Sequence, residues 1–345
     1  MKRVMIVGSA EQSGGGVASV IRLMKKMPVW QEYSCYWLGT QIQRSYLWKA
    51  WYAVKSAVIA FCIIWRYDIV HFHTVPDKIG LLIQMPELLL AKLWRKKVIL
   101  HLHVGNQLEN HTEDKFFIWY LQRADMIIVL AKKWKELFKE RYKNVNVPVE
   151  VVYNACEDVD TLAYDKHDKT ILFAGALRPN KAVDLIFEAY AKLKDKYPDW
   201  IINVLGDGVE ERNLRELASR LGISSNVNFT GYVTGHEKEK YFKRGGIYCM
   251  CSYVEGFPMV VLEAWRYGVP VVTTPVGGLP DVIEEGDNCL VFPFGDANAM
   301  SVQMDKLMGY EEVRKKMSDY SQQFVQCHFS LTKVNQSLVD IYTSL

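Results

Sequence analysis

Ile247-Tyr-Cys-Met-Cys251 leads through Ser252-Tyr-Val-Glu-Gly-Phe-Pro258 into Met259-Val-Val-Leu-Glu-Ala-Trp-Arg266, and Tyr267-Gly-Val-Pro-Val-Val-Thr273 follows directly. A short apolar run, a loop with glycine and proline, a helical stretch and a second β-branched run at Val269–Thr273 form one strand–helix–strand unit. Two strands joined through a helix run parallel, and parallel sheets are covered by helices on both faces. This unit therefore predicts an α/β fold with a doubly wound sheet.

The same rhythm extends outward in both directions. Runs at Thr170–Ala174, Ile201–Gly206, Val227–Thr230 and Cys289–Phe292 surround the unit, and Val4–Gly8, Ile69–His73, Val98–His103, Met126–Leu130 and Val149–Tyr153 repeat it earlier in the chain. A polar, charged segment at Asp158–Lys169 separates the two series, which predicts two Rossmann-like domains joined near Asp165. The expected division is 1–164 with a C-terminal helix at 330–345 against 165–329, the last helix crossing back to the first domain. Ligands of open parallel sheets bind outside the carboxyl ends of the strands, so the loops that follow strands are where function is sought.

Composition narrows the classes further. The chain has 345 residues, 50% hydrophobic and 23% charged, which excludes a disordered, collagen-like or coiled-coil protein. Its net charge of +3 divides at Tyr164 into 22 Lys+Arg against 15 Asp+Glu before and 20 against 24 after, or +7 and −4, and eight of the ten tryptophans lie in the basic part. Met1-Lys-Arg runs straight into an apolar strand without a cleavage-type site, so a cytoplasmic location is expected. Seven scattered cysteines fit a reducing compartment, and Cys249-x-Cys251 reads as buried strand rather than a metal site. The apolar stretch Ser56–Trp65 reads as too short to span a bilayer, which takes about 20 residues.

Several loops carry candidate chemistry. Ser13-Gly-Gly-Gly16 follows the first strand and opens a helix, where Gly15 and Gly16 would let backbone amides meet an anionic or hydroxylated ligand. It is not G-x-G-x-x-G, and no acid stands at the distance a dinucleotide site requires, which argues against an NAD-dependent oxidoreductase. Gly206-Asp207-Gly208 is a second short glycine turn. His71 and His73, then His101 and His103, fall on one face of adjacent strands by alternation. Four imidazoles could hold a metal, but no acidic ligand accompanies them, and His103 is read as a cleft residue with Gly105 after it. Glu255 sits in the loop after the strand at 247–251, and Phe257, Met259 and Val260 offer amides at a helix start that suit a diphosphate without a metal. Glu263 lies about one turn into that helix, placed to accept hydrogen bonds from a ribose diol.

Glu255-Gly-Phe-Pro-Met-Val-Val-Leu-Glu263-Ala, with its two glutamates, resembles the signature of the retaining family 4 glycosyltransferases, whose fold is GT-B. Val152-Tyr-Asn154-Ala, Phe173-Ala-Gly175-Ala-Leu-Arg-Pro-Asn-Lys181, Leu205-Gly-Asp-Gly208 and Val227-Asn-Phe-Thr-Gly-Tyr-Val233 extend the resemblance along the chain. It implies a nucleotide-diphosphate sugar as co-substrate, with no other cofactor and no metal. Glu263 would hold the ribose, Lys181 and the Gly256-Phe257-Pro258-Met259-Val260 segment the diphosphate, and Glu255 the sugar hydroxyls; Gly206, Asp207, Gly208, Tyr232 and Val233 would form the base-binding region. His103 would line the acceptor-domain side, with Gly15 and Gly16 near the diphosphate and acceptor. Catalysis would be front-face substitution, the leaving phosphate taking the acceptor proton. The sequence departs from the family at Ala176, where an arginine is usual; Arg178, two residues on, is the candidate second cation.

The implied acceptor is a saccharide or lipid-linked saccharide, by analogy in bacterial surface-polysaccharide assembly. Arg44–Lys55 mixes cations with aromatics, and Lys92, Arg95, Lys96, Lys97 and Lys132, Lys133, Lys135, Lys139 add charge, which suggests either a packed helix with snorkelling lysines or peripheral contact with an anionic inner leaflet. A non-catalytic nucleotide-sugar-binding protein is the alternative that Ala176 keeps open. Nucleic-acid binding has no recognised module to support it.

Overall fold

The computed structural model describes residues 2–42, 46–103, 108–109, 111–158 and 168–345. Gly105, Arg44 and most of the expected linker, Asp165 included, lie outside them. The chain divides into two compact units, Met1–Ala155 with Phe329–Leu345, and Cys156–His328. The second unit begins ahead of the expected boundary at 164/165 because its first residues are bonded into it. Cys156 Sγ donates to the Leu262 carbonyl, and Glu157 pairs with Arg266 at 3.1 Å. These partners are a hundred residues further on, so local sequence carries no trace of them.

The first unit is a six-stranded parallel sheet in the order β2-β1-β3-β4-β5-β6. Its strands are β1 (Val4–Ser9), β2 (Tyr36–Gln41), β3 (Ile69–Thr74), β4 (Lys97–Leu102), β5 (Met126–Val129) and β6 (Val149–Val151). Its helices are α1 (Gly16–Lys25), α2 (Pro28–Glu32), α3 (Tyr46–Ile63), α4 (Lys78–Leu93), α5 (Lys115–Leu121) and α6 (Lys132–Arg141). Alternation divides the core between two faces: Val70 and Phe72 pack with α3–α6, and Ile69 packs with α1 and α2.

The second unit holds β7 (Thr170–Ala174), β8 (Ile201–Leu205), β9 (Val227–Gly231), β10 (Ile247–Met250), β11 (Val271–Thr273) and β12 (Leu290–Val291), in the order β12-β11-β10-β7-β8-β9. Its helices are α7 (Asp184–Ala191), α8 (Glu211–Arg220), α9 (Gly235–Arg244), α10 (Met259–Arg266), α11 (Ala297–Gly309) and α12 (Glu311–Phe329). Counted within the unit this is the Rossmann order 3-2-1-4-5-6, which reverses between β7 and β10.

The last helix, α13 (Leu331–Ser344), is started by Ser330, whose hydroxyl accepts from Lys333 N–H, and it belongs to the first unit. Val334, Leu338, Ile341 and Tyr342 are buried in the α1–α2 face. Lys2 Nζ donates to the carbonyls of Tyr342 and Thr343, the helix end where a cation is favoured. Asn335 Oδ1 accepts from Val29 N–H at 2.8 Å.

One expectation is corrected here. Ser56–Trp65 is only part of a longer element, and Leu47–Arg66 is 20 residues long with mean hydropathy 1.5, enough by length and composition to cross a membrane. Lys49 and Lys55 interrupt the apolar run in sequence, while the backbone carries the helix through both.

Candidate active site

Lys181 and Glu255 meet at the point where the second sheet reverses its order. Lys181 ends the loop after β7 and Glu255 stands in the loop after β10; their side chains form an ion pair, 23% and 14% exposed. The two loops also touch through backbone, Tyr253 N–H donating to Asn180 C=O at 3.3 Å. Each loop is braced from its outer side. Gly175 N–H donates to Leu205 C=O and Leu177 N–H to Asp207 C=O, which lays the β7 loop along the Gly206-Asp207-Gly208 turn. The approach is close enough to require glycine: a Cβ on Gly206, at φ +152°, would lie 1.9 Å from the Gly175 carbonyl oxygen. A bridge between Gly206 and Gly231 brings Tyr232, exposed, and Val233, buried, beside the same turn. Thus the predicted base-binding residues converge.

Pro258 precedes α10 with no side chain capping the helix; Val261 N–H donates to Pro258 C=O, which leaves the Met259 and Val260 amides at a positive helix end. Phe257 and Pro258 are buried and hold this end against the unit, while Gly256, Met259 and Val260 are half-buried. Gly278 N–H donates to Gly256 C=O at 2.7 Å and fixes the Glu255 loop from behind. Glu263 follows one turn into α10, where its Oε2 pairs with Lys238 Nζ of α9 at 2.5 Å. Lys238 was not legible in the sequence, because His236-Glu-Lys-Glu-Lys240 reads as a solvated face. Arg178 does not join the group: its side chain is exposed and makes no ion pair among the described residues, and its carbonyl accepts from Lys181 N–H.

In the first unit, Gly15 caps α1 at φ 95° without a side-chain cap, and Arg22 holds the preceding loop through the carbonyls of Glu11 and Ser13. A Cβ on Gly16 would meet nothing within 4 Å, so packing does not demand glycine there. His71, His73, His101 and His103 share one sheet face as a stack, with neighbouring ring centroids 4.4–5.5 Å apart. Tyr342 Oη lies 2.7 Å from His71 Nδ1, and His73 Nδ1 lies 2.8 Å from His103 Nε2. Burial, then the neighbouring imidazoles, hold His71, His73 and His101 well below the ordinary histidine range, and burial brings His103 down to about 3. At neutral pH His103 therefore offers a hydrogen bond and no charge. Ring nitrogens of His71, His73 and His101 lie within 4.8 Å of one another, whereas a tetrahedral zinc would bring them to about 3.3 Å. The rings stack as plates along the sheet, which suits neutral imidazoles.

Two doubly wound parallel sheets of this construction define the GT-B class of glycosyltransferase. Residues 157–324 match the glycosyl transferases group 1 and residues 29–158 match glycosyltransferase family 4; the protein belongs to this family. A protein of Haemophilus influenzae described as an uncharacterized glycosyltransferase is 32% identical over 199 residues, 57% of this chain and 56% of its own. A D-inositol 3-phosphate glycosyltransferase of Corynebacterium urealyticum is 33% identical over 184 residues, 51% of this chain and 43% of its own. The chain spans about half the length of these curated relatives. Among solved structures, HepE of Anabaena in complex with UDP superposes with a TM-score of 0.77 at 16% identity, covering 99% of this chain and 100% of the other. Sucrose-phosphate synthase of Thermosynechococcus elongatus gives 0.78 at 14% identity, covering 99% of each. At these identities the likeness is one of fold.

Proposed function

We propose that this protein is a retaining, metal-independent glycosyltransferase that moves a sugar from a nucleotide-diphosphate sugar to a saccharide or lipid-linked saccharide. The observation that carries this reading is the convergence of Lys181, Glu255, the uncapped start of α10 and Glu263 at the switch point of a Rossmann-ordered sheet. A diphosphate competes with Glu255 for Lys181 and rests on the α10 amides, while Glu263 takes the ribose hydroxyls. Released from Lys181, the Glu255 carboxylate accepts from hydroxyls of the sugar.

As the anomeric carbon–oxygen bond breaks, negative charge gathers on the diphosphate. Fixed positive groups there stabilise the transition state more than bound donor. The acceptor oxygen bonds to the anomeric carbon from the same face, and its proton passes to the departing phosphate oxygen. From the first unit the family resemblance assigns His103 and the Gly15–Gly16 turn to the reaction. The setting we propose is bacterial surface-polysaccharide assembly on the cytoplasmic side of the inner membrane, which accords with free cysteines throughout the described chain.

A donor panel beginning with UDP-sugars, screened for binding and then for transfer, tests the reading. One donor is expected to bind and react, Glu255→Ala to abolish transfer, chelator to leave the rate unchanged, and the product's anomeric NMR coupling to match the donor's. An inverted product or an obligatory divalent cation overturns the mechanism. Tight donor binding with neither transfer nor hydrolysis leaves a nucleotide-sugar-binding protein. If Arg178 swings in as the second cation, Arg178→Ala weakens nucleotide-diphosphate affinity; unchanged affinity removes it from the site.

A further inference from the structure

Helices α3 and α4 lie side by side on one face of the first sheet, and both carry a stripe of large apolar residues on the outward side, α4 in addition to Leu81 and Leu88 on its inner side. Along α3 and the turn after it, Leu47, Trp51, Val54, Val58, Phe61 and Trp65 are exposed at helical spacing, while the side facing the core presents Ser56, Ala60 and Ile64. Along α4, Ile79, Leu82, Pro86, Leu89 and Leu93 are exposed at the same spacing. A helix packed on a sheet in water shows the reverse distribution. Between the stripes runs an apolar groove of about 470 Å³, with Val58 and Phe61 on one side and Leu89 and Leu93 on the other.

Charge along these two helices is almost wholly of one sign. No acidic residue occurs from Arg44 to Arg66, and from Lys78 to Lys97 the only one is Glu87, buried with its carboxylate accepting from Ser56 Oγ. Lys55, Arg66 and Arg95 are exposed with no acidic partner among the described residues, and Lys96 stands beside them, whereas Lys92 and Lys97 are paired with Asp125. Arg66 and Arg95 sit next to exposed Trp65 and Trp94, the pairing of cation and aromatic that suits the headgroup level of a bilayer.

We propose that the α3–α4 face is a membrane-docking surface for a bilayer rich in anionic phospholipid. The plate lies in the plane of the interface, its apolar stripes at the acyl boundary, the groove taking an acyl chain and the rim cations taking lipid phosphates. The segment is long enough to span, but its inner side helps close the core: Ala60 and Ile64 pack with Val70, Phe72 and Leu88. Withdrawing it into a membrane would open that core, so the helix lies on the bilayer rather than crossing it. The α3 stripe is about 27 Å long, at 1.5 Å for each of 18 residues.

Flotation of the full chain with vesicles of phosphatidylcholine alone, or with 30 mol% phosphatidylglycerol, tests this. Binding is expected to be at least tenfold stronger to the anionic vesicles and to fall with salt. The double variant Trp51→Ser/Phe61→Ser alters only exposed side chains and is expected to lower binding at least tenfold at unchanged circular dichroism and unchanged transfer to a water-soluble acceptor. Lys55→Gln, Arg66→Gln and Arg95→Gln are expected to lower it about fivefold each, from ~1 kcal/mol per interfacial cation. Equal binding to both vesicle types, no binding, or full binding by the Trp51/Phe61 variant overturns the proposal. So does a concentration-dependent dimer lost in that variant without vesicle binding, which assigns the face to a second copy of the chain. Vesicle binding is read without reference to transfer, so this surface stands or falls apart from the proposed reaction.

Discussion

Lowering the pH from 7 to 5.5 is predicted to destabilise the first unit by about 5 kcal/mol through its histidine stack. His71, His73 and His101 are fully buried against α1 and α13. Among the described residues, His71 Nε2, His73 Nε2 and both ring nitrogens of His101 have no hydrogen-bond partner. Burial first, and mutual repulsion second, keep all three neutral in the folded chain. Unfolded histidine titrates near 6.5, so below that pH the unfolded chain binds protons that the folded chain does not, and stability falls as pH falls. Between pH 7 and 5.5 each such histidine costs about 1.3 kcal/mol, hence roughly 5 for four, since His103, which burial brings to about 3, stays neutral in the folded chain as well. Glu87 acts in the opposite sense, since burial raises its carboxyl above the usual range and favours the folded chain as pH falls. The comparison of wild type with His101→Leu cancels that part and isolates about one quarter of the effect. Urea titration followed by tryptophan emission reports mainly this unit, which holds eight of the ten tryptophans. With a slope near 2 kcal/mol per molar urea, the wild-type midpoint should fall by about 2.5 M and that of His101→Leu by about three quarters as much. A midpoint that moves less than about 0.5 M over this range, or an identical pH dependence in the variant, refutes the neutral stack.

Two further outcomes concern the second unit. Lys238→Met releases the Glu263 carboxylate from its partly exposed partner, worth about 0.5–1 kcal/mol; donor affinity by calorimetry should fall two- to fivefold with a smaller change in kcat, and unchanged affinity would detach Lys238 from the site. Gly277→Ala places a Cβ 2.4 Å from the Gly256 carbonyl oxygen and 2.5 Å from that of Glu255, at φ +62°. The backbone alone costs about 1–2 kcal/mol, and the Glu255 loop must move, so kcat/KM should drop at least tenfold with a lower Tm; kcat/KM within twofold of wild type would show that this contact does not position Glu255.

How much of this was readable depended on how far apart the interacting residues lie. Strands buried on both faces need apolar runs, so β1, β3, β4 and β10 announce themselves locally, and a period of two puts His71, His73, His101 and His103 on one face without any knowledge of neighbours. Glu255, Lys181 and Glu263 stood out because a loop after a strand and a helix start have local signatures. Lys238 had none, since its role depends on α9 passing beside α10, and the place where the second unit begins was equally hidden in the bonds from Cys156 and Glu157 to α10. The outward side of α3 was hidden for a different reason. Hydropathy averaged along the chain records that a segment is apolar but not which side of the helix carries the volume. Ser56, Ala60 and Ile64 at four-residue spacing form a mostly small-residue side, and Trp51, Val58, Phe61 and Trp65 form the large one. The sheet packs against the former. Burying the bulkier side would have stabilised the core by about 1.5–3 kcal/mol per large side chain, so a helix that keeps these residues outward is suited to apolar surroundings that the described residues do not supply.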